Sequence, residues 1–321
     1  MKNKTSIIVG GSGQFGITLS KLLLKKKHLV IITTRNVKKA KKKIKILNKK
    51  LKIVKLDILK LKQIKRILIK YNPDYIFYFA SQSSPGLSYK MKKQTYESNF
   101  IGCKNFLEII KTKNLNCKFL NASSSEIFAK TNQKLNINSK KNPISPYGKS
   151  KLLSFDITKK YRNDYLVNAY NAIIFNTESI YRDKKFLVPK ICLSAINAHK
   201  FNSKCEFGNI NVSREWNWCE EQVGYLFKFI IKKPQDFLLS NQKLYSAKDM
   251  LNFAFSYFNL NYKSYIVFNR KHLRPDDFKI KKSNAKNNFL SNKIKHKYNI
   301  YGKKMINSLI KFYLYGKKYK L

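Results

Sequence analysis

The chain is poor in acidic residues and in side chains that bind metals. It has 17 Asp and Glu against 67 Lys and Arg among 321 residues, a formal net charge of +50 at pH 7. Its five cysteines are scattered without a Cys-x-x-Cys pair, and its four histidines lie far apart. Zinc sites and disulfide frameworks need closer spacing. We therefore expect no bound metal and a reducing environment.

The sequence also lacks an apolar run long enough to cross a bilayer, and an apolar signal-peptide core near residue 1. We expect a cytoplasmic protein without a membrane partner. The lysine excess would attract phosphate backbones, but lysines are spread through almost every segment. The densest run, Lys38 to Lys50, predicts the solvated outer face of a helix. We therefore expect no specific nucleic-acid partner.

Arginine is scarce, since only seven of the 67 basic residues are Arg. Arginine is hard to replace where a planar group must grip a phosphate or a carboxylate. Four of the seven fall in segments that are assigned to ligand binding on other grounds below, and three are expected at the surface. The first group is Arg35, Arg182, Arg214 and Arg274, and the second is Arg66, Arg162 and Arg270.

A glycine-rich turn lies between the first predicted strand, Thr5 to Val9, and a helical pattern of apolar residues. Glycines let the backbone approach a ligand closely, and the exposed amides and dipole of a helix N-terminus favour an anion. This strand-turn-helix context makes the triplet a strong indication of a site for a dinucleotide's diphosphate. The residues assigned to it are Gly10, Gly13, Gln14, Phe15 and Gly16.

Arg35 follows the second predicted strand, His28 to Thr33, at the position where an acidic residue would bond a free ribose 2′-hydroxyl. An arginine there suits a 2′-phosphate, so NADP is favoured over NAD. A solvated arginine is the alternative interpretation.

Two further strands lead to candidate cofactor contacts. Asp57 follows the predicted strand Leu51 to Leu56 and would bond the adenine edge. Ala80 and Gln82 follow the apolar run Tyr75 to Phe79 and would lie along the phosphates and the nicotinamide ribose. Strand-helix alternation to about residue 176 predicts an α/β fold with a doubly wound parallel sheet, whose ligands bind at the carboxyl ends of the strands.

A hydroxyl, a carboxylate, a phenol and an ammonium are predicted to converge on this edge. Ser124 and Glu126 are two apart at the end of a strand-like run and project from one side. Tyr147 and Lys151 are four apart on a helix that has Ser145 at its N-cap, so they share a face.

Such a set can oxidise an alcohol and then remove a proton beside the new carbonyl. A lysine ammonium and a cationic nicotinamide both favour the phenolate of Tyr147, which can then take a hydroxyl proton. Ser124 would hold the substrate oxygen, and Glu126 would be the second base. A Tyr-x-x-x-Lys pattern by itself arises by chance in a chain rich in both residues.

The whole chain resembles the extended short-chain dehydrogenases/reductases, and within that group the GDP-mannose 4,6-dehydratase family. The resemblance is carried by motifs along most of the length. These are the glycine turn, Ala80-Ser81-Gln82-Ser83, Ala122-Ser123-Ser124-Ser125-Glu126-Ile127-Phe128, Ser145-Pro146-Tyr147-Gly148-Lys149-Ser150-Lys151, Phe175-Asn176-Thr177-Glu178-Ser179, Phe207-Gly208-Asn209-Ile210, Arg214-Glu215-Trp216 and Leu273-Arg274-Pro275-Asp276.

The resemblance implies a Rossmann domain over 1–176, to which later segments return, and a smaller mixed α/β substrate lobe over 177–321. It implies a redox-neutral elimination on a nucleotide sugar, with GDP-mannose favoured as substrate, NADP as cofactor and the four converging side chains as catalytic residues. Of the family's paired arginines after the second strand only Arg35 remains, and the long serine-rich loop that helps the family's tetramers form is missing, so we expect a homodimer rather than a tetramer. The implied substrate-binding residues are Ser83, Asn176, Arg182, Lys190, Arg214 and Arg274.

Two alternatives remain open from the residues. The chain could be an NADP-dependent 4-epimerase or 4-reductase for a nucleotide sugar, with Glu126 as a structural carboxylate. It could also be a non-catalytic protein that binds NADP or is associated with RNA, which the positive charge would favour.

Overall fold

The computed structural model describes residues 4–44, 48–128, 134–273, 284–285 and 297–316, called the described residues below. They form two compact units. The first contains the described residues up to 128, together with 137–174 and 222–239. The second contains the described residues within 134–136, 175–221 and from 240 onward.

A seven-stranded sheet forms the centre of the first unit. All its neighbouring strands are parallel, in the order β12-β7-β5-β4-β1-β2-β3. Its inner strands are rich in apolar residues that are fully buried, as expected for a sheet covered by helices on both faces. The predicted doubly wound α/β class is therefore confirmed. The strands are β1 (Thr5–Val9), β2 (Leu29–Thr34), β3 (Leu51–Lys55), β4 (Tyr75–Tyr78), β5 (Lys118–Ser124), β6 (Lys134–Leu135), β7 (Ala169–Ile174), β8 (Thr177–Glu178), β9 (Cys205–Phe207), β10 (Ser213–Arg214), β11 (Asn217–Trp218), β12 (Asp236–Leu239), β13 (Tyr245–Ser246), β14 (Ile266–Phe268) and β15 (Asn284–Ala285).

The strand order reverses between β1 and β4, because the chain builds β2 and β3 on one side of β1 and later strands on the other. Such a switch point opens a crevice at the carboxyl ends of the strands. The helices are α1 (Gln14–Lys25), α2 (Val37–Lys43), α3 (Leu61–Tyr71), α4 (Pro85–Ser88), α5 (Lys92–Tyr96), α6 (Gly102–Thr112), α7 (Pro146–Asp164), α8 (Leu187–Phe201), α9 (Cys219–Ile230), α10 (Ala247–Ser256) and α11 (Gly302–Tyr315), with a π-helical turn at Glu97–Ile101 and 3-10 turns at Ser125–Ile127, Tyr262–Ser264 and Arg270–His272.

The second unit has its own core, which contains buried residues of α8, α10 and α11 together with Trp216 and Trp218. Short strand pairs surround these helices: β8 with β11, β9 with β14, and β10 with β13. The division predicted at residue 176 stays a prediction. In the structure, residues 222–239 belong to the first unit, where β12 adds an edge strand beside β7.

A chain of buried polar groups fastens α7 to the sheet. The Asn121 side-chain amide on β5 donates to the Ser154 carbonyl and to Asn171 Oδ1 on β7, both within 3.1 Å. The Asn171 amide donates in turn to Asp236 Oδ1 on β12 at 3.0 Å, and Arg162 of α7 donates to the same oxygen at 2.7 Å. These bonds join three strands and one helix.

Two expectations from the sequence are wrong in detail. Arg162 was expected at the surface, but its side chain is 14% exposed and paired with Asp236, which lies 74 residues away along the chain. The helix expected over Lys38 to Lys50 ends at Lys43. Neighbouring lysines on one short helix repel each other, which disfavours extending it. Arg66 and Arg270 are exposed, as expected.

No helix among the described residues combines the length and the apolar composition needed to span a membrane.

We predict that Asp236→Ala lowers the free energy of unfolding by about 2–4 kcal/mol, because it removes the carboxylate that compensates the charge of Arg162 and leaves both Arg162 and the Asn171 amide with backbone carbonyl acceptors alone. Asp164→Ala is the matched control, since Asp164 pairs with Lys160 at the exposed end of the same helix. Urea unfolding of both variants measures the difference. Equal effects would show that the buried chain does not stabilise the first unit.

Candidate active site

The glycine turn after β1 packs against the end of β4. Gly10 has a φ of +74°, a conformation that L side chains rarely adopt, and a Cβ on it would lie 2.6 Å from the Ala80 Cα. A Cβ on Gly16 would overlap the backbone of Gly11. Both glycines are therefore needed to fold the turn itself.

Gly13 differs, because it leaves space at the N-terminus of α1. A Cβ there would meet the Gly10 carbonyl oxygen alone, at 3.8 Å, and Gly13 is exposed. As N-cap of α1 it has no side chain that could cap the helix. The amides that begin the helix, with Gln14, Phe15 and Gly16, thus border an open cradle at the positive end of the helix dipole. This arrangement fits the diphosphate of a dinucleotide.

The candidate cofactor residues on β2 and β3 follow the carboxyl ends of these strands. The Arg35 side chain is exposed directly after β2. Asp57 is partly buried after β3, and its Oδ1 accepts from the Leu59 amide at 3.0 Å. One oxygen of this carboxylate therefore shapes its own loop. The 2′-phosphate and adenine roles of the two residues stay predictions.

Asn99, which the sequence analysis missed, connects the segment after β4 to α7. It is fully buried in the π-helical turn, and its Oδ1 accepts from Ser81 Oγ at 2.9 Å and from the Gln82 amide at 3.0 Å. Its amide donates to Ser150 Oγ on α7 at 2.9 Å. Its position in a π-helical turn, a feature often found at functional sites, is visible only in the structure, so no signal in the sequence marks it. Ser83, two residues after Ser81, is exposed.

The N-terminus of α7 forms as its sequence predicts. Ser145 is the N-cap and accepts from the Gly148 amide at 3.0 Å, and Pro146 occupies the first turn. The Tyr147 amide donates to Ser88 Oγ at 3.1 Å. This bond ties the first turn of α7 to α4 and fixes the direction in which the helix begins.

Lys151 lies one turn further along α7 and is buried. Its Nζ donates to the Ala122 carbonyl of β5 at 2.8 Å and lies 5.9 Å from the centre of the Tyr147 ring. Burial lowers the pKa of the Lys151 ammonium to about 8, because the charged form is poorly solvated. At neutral pH Lys151 therefore remains protonated, although burial favours its neutral form.

The turn after β5 carries Ser124 and Glu126 against the first turn of α7. Ser124, the last residue of β5, accepts from the Glu126 amide at 3.2 Å, and Glu126 lies in the 3-10 turn that follows. A Cβ on Gly148 would lie 2.5 Å from the Glu126 carbonyl oxygen. Because Gly148 has no side chain, the backbones that bear Glu126 and Tyr147 meet. The four predicted catalytic residues therefore belong to two segments in direct contact.

Four of the predicted substrate-binding residues lie in the second unit. The Asn176 carbonyl accepts from the Asn217 amide nitrogen at 2.8 Å, and Lys190 Nζ donates to the Glu206 carbonyl at 2.6 Å. Arg214 donates to the Ser213 carbonyl at 2.8 Å. The Arg182 guanidinium stacks on the Phe186 ring at 3.6 Å. Arg274 lies outside the described residues.

Within the described residues, His, Cys, Asp and Glu side chains do not gather into a group of three or more that could hold a metal ion.

We predict that Gly13→Ala and Gly16→Ala separate cofactor binding from folding. The methyl group on residue 13 would enter the open cradle and weaken dinucleotide binding at least about tenfold, while changing stability by less than about 1 kcal/mol. The methyl group on residue 16 would force apart α1 and the turn, which costs about 1–3 kcal/mol. Calorimetric titration with the dinucleotide and thermal unfolding measure the two effects, and equal dinucleotide affinity of Gly13→Ala and the wild type would contradict this assignment.

We predict that Lys151→Met makes stability less dependent on pH. The folded-state pKa of Lys151 is below its unfolded value, so the unfolded chain binds more protons and wild-type stability rises with pH between about 8 and 10.5. The stability of the wild type relative to Lys151→Met should thus increase by roughly 2–4 kcal/mol from pH 7 to pH 10. Lys149→Met, at an exposed position of the same turn, is the control and should show no such change.

The chain is similar to known proteins along most of its length. A sequence model of the family described as GDP-mannose 4,6 dehydratase matches residues 7–299. The chain is 28% identical over 302 residues to GDP-mannose 4,6 dehydratase 1 of Arabidopsis thaliana, covering 85% of this chain and 80% of the relative. It is also 28% identical over 270 residues to the GDP-mannose 4,6-dehydratase of Vibrio cholerae, covering 79% and 72%.

Solved structures share the fold at lower identity. A UDP-N-acetylglucosamine 4-epimerase from Methanobrevibacter ruminantium superposes with a TM-score of 0.84 at 19% identity, covering 98% of this chain and 99% of the other. A dTDP-glucose 4,6-dehydratase from Bacillus anthracis, in complex with NAD, gives 0.82 at 16% identity, with 98% of each chain covered. Since the family match spans nearly the whole chain, the protein belongs to the GDP-mannose 4,6-dehydratase family within the extended short-chain dehydrogenases/reductases.

Proposed function

We propose that the protein is a nucleotide-sugar 4,6-dehydratase that converts GDP-mannose to GDP-4-keto-6-deoxymannose with NADP. One observation carries the proposal. The turn with Glu126 packs against the first turn of α7, which bears Tyr147, with the Gly148 contact at its centre. A carboxylate beside the phenol and ammonium is what an elimination needs beyond a simple alcohol oxidation.

The cradle at Gly13 would hold the cofactor's diphosphate, and Ala80 and Gln82 would line the path toward its nicotinamide. When bound, a nicotinamide dinucleotide accepts a hydride from carbon 4 of the sugar and returns it to carbon 6. Arg35, exposed at the end of β2, supports a 2′-phosphate and therefore NADP.

Tyr147 begins the reaction as a base that takes the proton of the 4-hydroxyl. The buried Lys151 ammonium favours the phenolate over the neutral phenol. The Ala122 carbonyl holds the ammonium in place through its 2.8 Å hydrogen bond. Ser124 donates a hydrogen bond to the oxygen on carbon 4 as it becomes a carbonyl, and so fixes the sugar.

Glu126 then removes the proton on carbon 5, which the new 4-ketone has made acidic. The hydroxyl on carbon 6 leaves with this proton as water, which creates a double bond between carbons 5 and 6. Return of the hydride to carbon 6, together with a proton at carbon 5 that balances the one Tyr147 took from the 4-hydroxyl, would complete the 4-keto-6-deoxy sugar. The carboxylate is thus needed only after carbon 4 has been oxidised.

The residues of the second unit supply nucleotide recognition in this proposal. Asn176 would contact the substrate near the diphosphate, and Arg182 and Lys190 would bind the nucleotide. Arg214 and Arg274 would grip the diphosphate or the ribose, and Ser83 would contact the sugar. We also propose a homodimer, because the short segment between β2 and α2 keeps Arg35 but lacks the paired arginines and the long serine-rich loop that helps the family's tetramers form.

The proposal is tested with Glu126→Gln, which keeps the shape of the side chain but removes the base. Wild-type protein with GDP-mannose and NADP should release a 4-keto-6-deoxy product without net change in reduced-nicotinamide absorbance. The variant should still oxidise carbon 4, so reduced cofactor accumulates on the protein. Product formation should fall by about 10²–10⁴-fold. Mass spectrometry of the product and absorbance of the protein-bound cofactor measure these outcomes.

Glu206→Gln is the matched control, since Glu206 is an exposed glutamate of the second unit, and it should leave turnover unchanged. An isomer with the substrate's mass would instead identify a 4-epimerase, which needs Ser124, Tyr147 and Lys151 but no second base. Consumption of reduced cofactor would identify a 4-reductase. Normal turnover by Glu126→Gln would contradict the role given to Glu126.

A further inference from the structure

Glu178 is a buried carboxylate that no step of the proposed reaction uses. It ends the short strand β8 opposite Trp218 of β11, and it is 2% exposed. Its Oε2 is fully enclosed and makes no hydrogen bond with the described residues. Burial raises the pKa of this carboxyl to about 7, and the opposing effect of Arg182 is smaller. Such a group destabilises the fold when it is ionised, which is a feature of functional sites.

Arg182 is the cation nearest to this carboxylate. Its Nε lies 3.8 Å from Glu178 Oε2, within ion-pair range but too far for a hydrogen bond, and this Nε also makes no hydrogen bond with the described residues. Its central carbon, Cζ, lies over the Phe186 ring, 3.6 Å from the ring centre. The guanidinium is thus held between a negative charge and an aromatic ring.

Two backbone hydrogen bonds form turns in the loop 179–186 that carries Arg182. The Arg182 amide donates to the Ser179 carbonyl at 3.0 Å, and the Phe186 amide donates to the Asp183 carbonyl at 3.1 Å. The Arg182 side chain is nevertheless 19% exposed. The buried Glu178 carboxylate and the Phe186 ring thus hold the Arg182 guanidinium in place, while part of this side chain stays open to solvent. A guanidinium held in this way can bind a planar or tetrahedral anion from solvent.

Apart from Arg182, no charged group in the described part of the chain compensates the negative charge of Glu178. The other titratable groups that interact with it there are Cys192 of α8 and Tyr313 of α11. Burial raises the pKa of both, so both stay neutral near pH 7. The hydroxyl of Tyr313 is itself enclosed without a hydrogen-bond partner among the described residues. Arg182 is therefore the group through which the charge of Glu178 can act.

We propose that Glu178 is a positioning residue that orients Arg182 for the diphosphate of the substrate and competes with that diphosphate for the guanidinium. This inference rests on the proposed function in one respect, namely that the ligand is a nucleoside diphosphate sugar. The Glu178 carboxylate and the substrate diphosphate then both lie close to the Arg182 guanidinium. Because this environment is poorly solvated, the two negative charges repel each other strongly. Ligand affinity is highest when Glu178 is protonated.

The direction of the pH effect follows from linkage. If protonation of Glu178 strengthens ligand binding, then ligand binding must raise the proton affinity of Glu178 by the same factor. Affinity should fall as pH rises through about 7, the pKa of this carboxyl. The diphosphate of a nucleotide sugar is a diester that does not titrate in this range, so the ligand itself contributes no slope.

Protein stability supplies a readout that needs no ligand. The pKa of Glu178 is higher in the folded state than in the unfolded chain, so the folded state binds more protons between about pH 4.5 and 7. Wild-type stability therefore falls as pH rises through that window. Glu178→Gln removes the titration, and its Tm should exceed that of the wild type increasingly from pH 5 to pH 8.

The experiment measures GDP-mannose binding by calorimetry from pH 6 to pH 8, in proteins that also carry Tyr147→Phe to prevent turnover. Protein with Glu178 intact should lose affinity about tenfold across this range, within the usual size of such couplings. Glu178→Gln should bind with the affinity seen at pH 6 throughout. Asp183→Asn is the matched control, because this exposed carboxylate adjoins Arg182 and its loss should leave the slope unchanged.

The outcomes separate this inference from the proposed function. A flat pH profile with Glu178 present, or the same slope in Glu178→Gln, overturns the inference even if the wild type releases the 4-keto-6-deoxy product. The slope should also vanish in Arg182→Ala, and its persistence there would show that Glu178 does not act through Arg182. A sloping profile without product formation overturns the dehydratase assignment alone. UDP-glucose and dTDP-glucose are titrated in parallel, and failure of all three ligands to bind overturns both.

Discussion

The candidate active site depends on how closely the first turn of α7 approaches the end of β5. Gly148 permits this approach, since any side chain there would meet the Glu126 carbonyl. The buried hydrogen bond from Lys151 to Ala122 then fixes the helix one turn further along. Further along α7, the hydrogen-bonded polar residues from Asn121 to Asp236 fasten the helix to the sheet. The candidate catalytic residues therefore depend for their positions on the backbone contact at Gly148 and on the side-chain hydrogen bond of Lys151.

Local signals made much of this arrangement predictable. The Ser145-Pro146 start of α7, the glycine turn and the apolar strands are encoded within a few residues of where they act, so capping and hydrophobic pattern identify them. Strand ends differ from expectation by one or two residues, as for β5, which extends to Ser124. The sequence therefore places Tyr147 and Lys151 on α7 and Ser124 at the end of β5, whereas Glu126, expected to project from the strand, lies in the 3-10 turn that follows it.

Long-range contacts account for what the sequence could not reveal. Asn99 reaches Ser150 across 51 residues, and Arg162 reaches Asp236 across 74. No local pattern marks either pair, so Asn99 was missed and Arg162 was assigned to the surface. Glu178 is a further residue whose role could not be predicted from the sequence. Its proposed role depends on its burial beside Arg182 and neutral neighbours, not on its place in a motif. Sequence patterns identify the reacting groups but not the groups that hold them.

The lysine excess has a consequence at the margin of the main sheet. β3 is an edge strand, and an edge strand offers unpaired amides and carbonyls that can template the addition of another chain. Lys52 and Lys55 are both exposed on this strand. Like charges on two approaching copies repel each other, so these lysines oppose edge-to-edge aggregation of the protein. The lysines that give the chain its positive charge thereby protect an exposed edge of the main sheet.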